Sequence, residues 1–242
     1  MYNFFVNNEQ ISENKVNIVG EDFNHIVNVL RMKKGDKIYI CNKENSESFL
    51  AEIDNILNDS VQANILEKNF STESNVEITI YQGLPKSEKM EYIIQKSTEL
   101  GASVLVPVNM KYCISKLKDE EKKHDRWQKI AEVAAKQSKR NIIPRIEKLV
   151  NVSDICNRIN DYDLVIIAYE NEENINMKNV LSESKNPKKI AIVIGPEGGL
   201  SKEEVEKMKN AGAKIVSLGN RILRTETAST AMLSMIMYEY EF

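Results

Sequence analysis

Histidine and cysteine are scarce in this chain. Two histidines, His25 and His124, lie far apart among 242 residues. A zinc site is therefore not expected, and no G-x-S-x-G turn is present to suggest a serine hydrolase. The three cysteines, Cys41, Cys113 and Cys156, share no C-x-x-C spacing. An odd, scattered set argues against a disulfide framework and fits a reducing compartment. No apolar run reaches the ~20 residues that span a bilayer. The opening segment MYNFFVNNEQ has no basic stretch ahead of an apolar one. A cytoplasmic protein with no membrane and no metal partner is the expectation. Excess positive charge is missing too, with a net charge of -3. Yet residues 111–148 hold twelve lysines and arginines against six acidic residues. Such a patch suits phosphate contact through one face, or simply a solvated helical face.

What is present is ordinary in bulk. The 42% hydrophobic and 29% charged residues place the chain among soluble globular proteins, and its length allows one large domain or two modest ones. Short apolar runs alternate with turn formers over residues 1–70, as in Lys37-Ile38-Tyr39-Ile40-Cys41, and suggest a small β-barrel. One helix is expected there over 21–31, with Phe23, Ile26, Val27 and Leu30 on its face and Lys33-Lys34-Gly35-Asp36 as its closing turn. The polar stretch 67–75 reads as a linker. From Val76 onward, strands alternate with helices, which implies a mostly parallel α/β sheet. Leu164-Val165-Ile166-Ile167-Ala168 and Ile190-Ala191-Ile192-Val193-Ile194 are continuous apolar runs, as buried parallel strands require. A helix carrying Trp127, Ile130, Ala131, Ala134 and Ala135 is expected to run to about Arg140. Ser201 with Glu204 forms a capping box, and Gly212 ends that helix.

Two turns at the ends of apolar runs stand out, Gly195-Pro196-Glu197-Gly198-Gly199 and the stretch from Leu218 to Ala228. Neither is a Walker loop nor a dinucleotide-binding signature. Glycines let main-chain groups approach a ligand closely, and backbone groups of this kind suit an adenine edge better than a triphosphate. Arg221, Arg224, Thr225, Glu226, Thr227 and Ser229 are more polar groups than a helix start needs, although Thr225 or Thr227 can serve as an N-cap.

At this point the residues become specific. IGPEGGLSKEE followed by LGNRILRTETASTAML resembles the signature of the ribosomal RNA small subunit methyltransferase E family, a SPOUT-class family of S-adenosylmethionine-dependent RNA methyltransferases. Leu84-Pro85-Lys86, Lys89-Met90-Glu91, Gln95 to Gly101 and Ala134-Ala135-Lys136-Gln137-Ser138 with Arg140 are similar to its other segments. Leu200 and Lys111-Tyr112-Cys113 depart from the family pattern. The resemblance implies a PUA-like β-barrel RNA-binding domain over 1–70 and a SPOUT α/β methyltransferase domain with a C-terminal trefoil knot over 71–242. It also implies a homodimer, and methylation of a uridine at N3 in 16S rRNA of the small ribosomal subunit.

Site residues follow from the turns and the resemblance together. Cofactor contacts are expected from Ile194, Gly195, Pro196, Glu197, Gly198, Leu218, Gly219, Leu223, Thr227 and Ala228, with Leu84 and Ile222 as apolar wall. Uridine N3 carries a proton between two carbonyls, so transfer needs that proton removed and the developing charge stabilised. Glu197 and Glu226 are the candidate proton acceptors, or else hold the loops. Arg221 and Arg224 are candidates for the uridinate oxygens, or else pair with Glu226. Arg31, Lys33, Lys34, Lys136, Lys139 and Arg140 are the expected RNA phosphate contacts. A non-catalytic RNA-binding or assembly factor, and a SPOUT enzyme acting on another RNA, are the alternatives.

Overall fold

In the computed structural model, which describes residues 1–117 and 119–241, the alternating segments near the start of the chain pair into one sheet. Its strands are β1 (Asn3–Val6), β2 (Ile11–Ser12), β3 (Lys15–Val19), β4 (Lys37–Asn42), β5 (Ser48–Ile56) and β6 (Ser60–Lys68), in the order β1-β4-β5-β6-β3-β2. Only β1 and β4 run parallel. Irregular pairing at Leu50/Ala51 and Ile53/Asn55 bends β5 against β6, and bulges of this kind raise local twist and curl a sheet. One side chain in two then points inward. Val16, Ile18, Ile38, Ile40, Ile53 and Val61 fill that core with Phe4 and Ile26.

The expected helix over 21–31 is shorter and partly of another kind. Helix α1 (Gly20–Asn24) continues as a π turn, His25–Val29, closed by the Leu30 amide donating to the His25 carbonyl at 2.9 Å. Arg31 then enters the left-handed region at φ 51° and ends the helix.

The second sheet is wholly parallel. Strand β7 (Glu77–Gly83) leads to α2 (Ser87–Glu99), β8 (Val104–Asn109) and α3 (Glu120–Gln137). After short β9 (Arg145–Ile146) and β10 (Val150–Asn151) come α4 (Val152–Asn157), β11 (Leu164–Ala168), α5 (Met177–Glu183) and β12 (Lys189–Ile194). Helix α6 (Lys202–Ala211), β13 (Lys214–Val216) and α7 (Thr225–Tyr240) complete the chain. The strand order is β10-β8-β7-β12-β11-β13, with β9 beside β8. Both faces are covered, as parallel sheets require. Tyr81, Val106, Val165, Val193 and their neighbours pack on α4 and α6 through Ile155, Val205 and Met208. Helices α2 and α7 pack together, and alternation turns Ile78, Ile80 and Gln82 to the opposite face from Tyr81.

Met1–Glu73 with Ala135–Ile143 form one compact unit, and Ser74–Ala134 with the residues from Pro144 onward form the other. The last turn of α3 and the residues after it thus belong with the first unit. The Glu73 carboxylate explains why. It accepts the Arg140 guanidinium and also the amides of Asn141 at 2.7 Å and Ile142 at 3.2 Å. The Asn3 side chain donates to the Arg140 carbonyl at 2.8 Å.

Candidate active site

Ligands of open parallel sheets bind beyond the carboxyl ends of the strands, and a cavity of about 820 Å³ opens there, past β11, β12 and β13. The turn after β12, the loop between β13 and α7, and Tyr169, Glu170, Glu172 and Glu173 after β11 line it.

The glycine turn is sterically determined. The Gly199 amide donates to the Pro196 carbonyl at 2.9 Å. A Cβ on Gly195 would stand 2.9 Å from the Gly199 carbonyl carbon, and one on Gly198 2.8 Å from the Cβ of Tyr112. Neither position admits a side chain without moving the turn. The segment Lys111-Tyr112-Cys113 therefore walls the turn. It is also fixed to α6, because the Lys111 amide donates to Glu204 at 2.7 Å. Glu204 in turn completes the expected capping box with Ser201.

A buried relay joins three elements at this point. The Gln82 side-chain amide, at the end of β7, donates to the Gly83 carbonyl at 3.0 Å and to the Thr225 hydroxyl at 2.8 Å. Thr225, the first residue of α7, donates to the Gly195 carbonyl at 2.7 Å. The start of α7 is thereby held against the turn after β12, and the position of Arg224 follows from it.

Lys89 of α2 is the charged centre of the site. Its ammonium lies 3.4 Å from Glu197 Oε1 and 3.4 Å from Glu226 Oε2. Burial pushes the Glu197 carboxyl up, but its own amide, the Lys86 amide at 3.2 Å and Lys89 outweigh that and hold it below its ordinary value. Glu172 is also held low, by the amides of Asn174 and Ile175.

Most of the expected residues converge. Ile194, Gly195, Pro196, Glu197, Gly198, Leu218, Gly219, Arg221, Ile222, Leu223, Arg224 and Ala228 line the cavity. Leu84 does not: it is buried in the core. Glu226 and Thr227 face a second, adjoining cleft with Glu88, Lys89, Tyr92 and Thr230. Arg221 and Arg224 form no ion pair with Glu226, whose cation is Lys89. Lys89, Gln82 and the segment 169–173 were not among the expected site residues, and Thr225 was singled out only as a polar group or N-cap at the start of α7. For 169–173 the signal was available, since it directly follows a continuous apolar strand.

The expected phosphate contacts separate into two groups within the first unit. Arg31, Lys33, Lys34 and Lys139 are exposed, with Lys34 bridging to Asp54 at 3.0 Å. Arg140 is buried and committed to Glu73, so its guanidinium is not offered to RNA. Lys136 is similarly engaged with Asp22 at 2.7 Å.

Comparison with known proteins agrees with this geometry. The family described as RNA methyltransferase domain matches residues 72–237, and that described as RNA methyltransferase PUA domain matches residues 18–66. The chain is 39% identical to Ribosomal RNA small subunit methyltransferase E of Bacillus subtilis over 93% of this chain and 90% of the relative. It is 34% identical to the protein of the same name from Mesomycoplasma hyopneumoniae, over 97% and 98% of the two chains. A crystal structure of Ribosomal RNA small subunit methyltransferase E from Neisseria gonorrhoeae, bound to S-adenosyl methionine, superposes with a TM-score of 0.87 at 26% identity over 99% of this chain and 98% of that one. The parallel α/β sheet with its C-terminal turns is the SPOUT fold, preceded by a PUA domain with a curled sheet. By sequence, fold and the make-up of its glycine-turn cavity, the chain belongs to the ribosomal RNA small subunit methyltransferase E family.

Proposed function

We propose that this protein transfers a methyl group from S-adenosylmethionine to N3 of a uridine in 16S ribosomal RNA. The observation that carries the reading is the cavity past β11–β13, in a chain whose relative is known with S-adenosyl methionine bound. The lining suits that molecule. Main-chain groups at Ile194, Gly195, Leu218 and Gly219 are suited to an adenine edge, and Ile222 and Leu223 supply apolar surface. Glu170, Glu173 and Glu197 bring negative charge to a ligand bearing a sulfonium and an ammonium, while Arg221 and Arg224 suit its carboxylate or an RNA phosphate. No lysine stands among the glycines for a triphosphate.

When bound, the cofactor supplies an electrophilic methyl group. The protein's share is to fix the uridine, take its N3 proton and stabilise charge on O2 and O4. Lys89, Arg221 and Arg224 are the cations at hand, and Glu226 and Glu197 the carboxylates. The first unit, through Arg31, Lys33, Lys34 and Lys139, holds the RNA backbone, with the domain boundary near residue 70. For a ribosomal substrate, the cytoplasm is the expected location. A homodimer is expected from the family resemblance, and light scattering in solution tests it. The decisive experiment is mass spectrometry of nucleosides from 16S rRNA of cells with and without the gene. N3-methyluridine is expected to disappear with the gene; its persistence refutes the reading.

A further inference from the structure

A cleft of about 420 Å³ lies between α2 and the first turns of α7, lined by Glu88, Lys89, Tyr92, Glu226, Thr227 and Thr230. Lys89 lines this cleft and the larger cavity as well, so the two are neighbours across one ammonium group. The two carboxylates that share this ammonium differ in occupancy. Glu197 Oε1 already accepts the Lys86 amide. Glu226 Oε2 is buried and takes no hydrogen bond, although Lys89 stands 3.4 Å away. The Thr230 hydroxyl donates to the Glu226 carbonyl at 2.9 Å, which fixes the backbone and does not occupy the carboxylate. Tyr92 is 47% exposed and offers an aromatic surface at the rim.

Resting on the methyltransferase reading above, we infer that this cleft is the subsite for the target nucleobase, with Lys89, Glu226 and Thr227 meeting its Watson–Crick edge and Glu226 accepting the N3 proton. Uracil presents an acceptor, a donor and an acceptor along O4, N3–H and O2. An ammonium, a carboxylate and a hydroxyl supply the complementary donor, acceptor and donor. Cytosine presents an amino donor and an unprotonated N3, so Lys89 and Glu226 both lose their partners. Tyr92 stacks on the pyrimidine. During transfer the N3–H bond breaks and its proton passes to the Glu226 carboxylate. The electron pair left on N3 forms the N–CH3 bond, and the S–CH3 pair stays on sulfur in neutral S-adenosylhomocysteine. The protonated carboxyl then releases its proton to water. The charged and titratable groups facing Glu226 are Lys89, Glu88 and Tyr92 from α2, and Glu197 beyond Lys89.

The test is single-turnover methylation of small ribosomal subunits from cells lacking the gene, with calorimetry of S-adenosylmethionine on each variant. Glu226→Gln is expected to react at least about 100-fold more slowly near neutral pH. Its log rate should climb about one unit per pH unit, because hydroxide must then take the proton, whereas the wild-type rate levels off. Tyr92→Ala and Thr227→Val, both at exposed positions, are expected to raise the half-saturating subunit concentration about tenfold. All three should keep wild-type affinity for S-adenosylmethionine. Binding gives a second readout: labelled oligouridylate should bind the wild type about tenfold more tightly than oligocytidylate, and Thr227→Val should narrow that difference. The inference is overturned if Glu226→Gln keeps the wild-type rate and pH profile, or if the two oligonucleotides bind equally. Wild-type protein that transfers no methyl to subunits overturns the underlying reading, and that arm is decided without any variant.

Discussion

Arg140 and Arg224 carry the same guanidinium in opposite surroundings, and their substitution should separate stability from activity. Arg140 is buried against Glu73; removing one partner of such a pair strands the other charge, at about 3–5 kcal/mol. Arg140→Met is therefore expected to lower the unfolding free energy by that amount in urea titrations. Arg224 is exposed at the mouth of the cavity, so Arg224→Ala should stay within about 0.5 kcal/mol of wild type while slowing methyl transfer. Glu197 offers a pH signature. Its carboxyl is held below the ordinary value of 4.5, so the native state favours the ionised form. The stabilisation is complete above the unfolded-state pKa and is lost as pH falls through the lower folded-state value. Acid titration of the folding free energy should fall less steeply in Glu197→Gln than in wild type, and identical acid limbs would contradict the assignment.

The connection from β12 to α7 is where local sequence and tertiary contact meet. Gly195→Ala must push the turn's own backbone aside, since Gly199 lies 2.9 Å from the new Cβ. Overpacking of this kind costs about 1–3 kcal/mol, so calorimetry should show S-adenosylmethionine affinity down by about tenfold or more. Thr225→Val cuts the relay and leaves the Gln82 amide short of an acceptor and the Gly195 carbonyl short of a donor. With the Gln82 side chain fully buried and Gly195 half-buried, the expected loss is about 1–3 kcal/mol of stability, read from thermal or urea unfolding. Much of this element was legible in the sequence because its determinants are local. The glycine turn, the Ser201–Glu204 box and the Gly212 terminus are decided within a few residues. The Lys89 link to Glu226 was not, because it joins positions 137 apart in sequence through the packing of α2 on α7. Arg140 was misplaced for a similar reason. Nothing near it signals that Glu73 bonds both its guanidinium and the two amides after it. The π turn at His25–Val29 keeps apolar residues inward as an α-helix would, so periodicity cannot distinguish the two.

Across the whole molecule, the question is how a chain of net charge -3 binds an RNA polyanion. The structure narrows the answer by removing cations from the count. Arg140 and Lys136 are engaged with Glu73 and Asp22, while Arg31, Lys33 and Lys139 stand exposed in the first unit. Each phosphate contact releases condensed counterions, so the logarithm of affinity falls with the logarithm of salt by about 0.7–0.9 per contact. Replacing Arg31, Lys33 and Lys139 together by alanine is expected to flatten that slope by about 2–3. Fluorescence anisotropy with a labelled small-subunit rRNA fragment at several salt concentrations measures it. Lys136→Ala, which removes a cation already neutralised by a carboxylate, should leave the slope within about 0.5 of wild type. A slope that responds to Lys136 but not to the exposed three would mean that the ion pair opens to receive RNA, and that burial in the free protein misreports which charges meet phosphate.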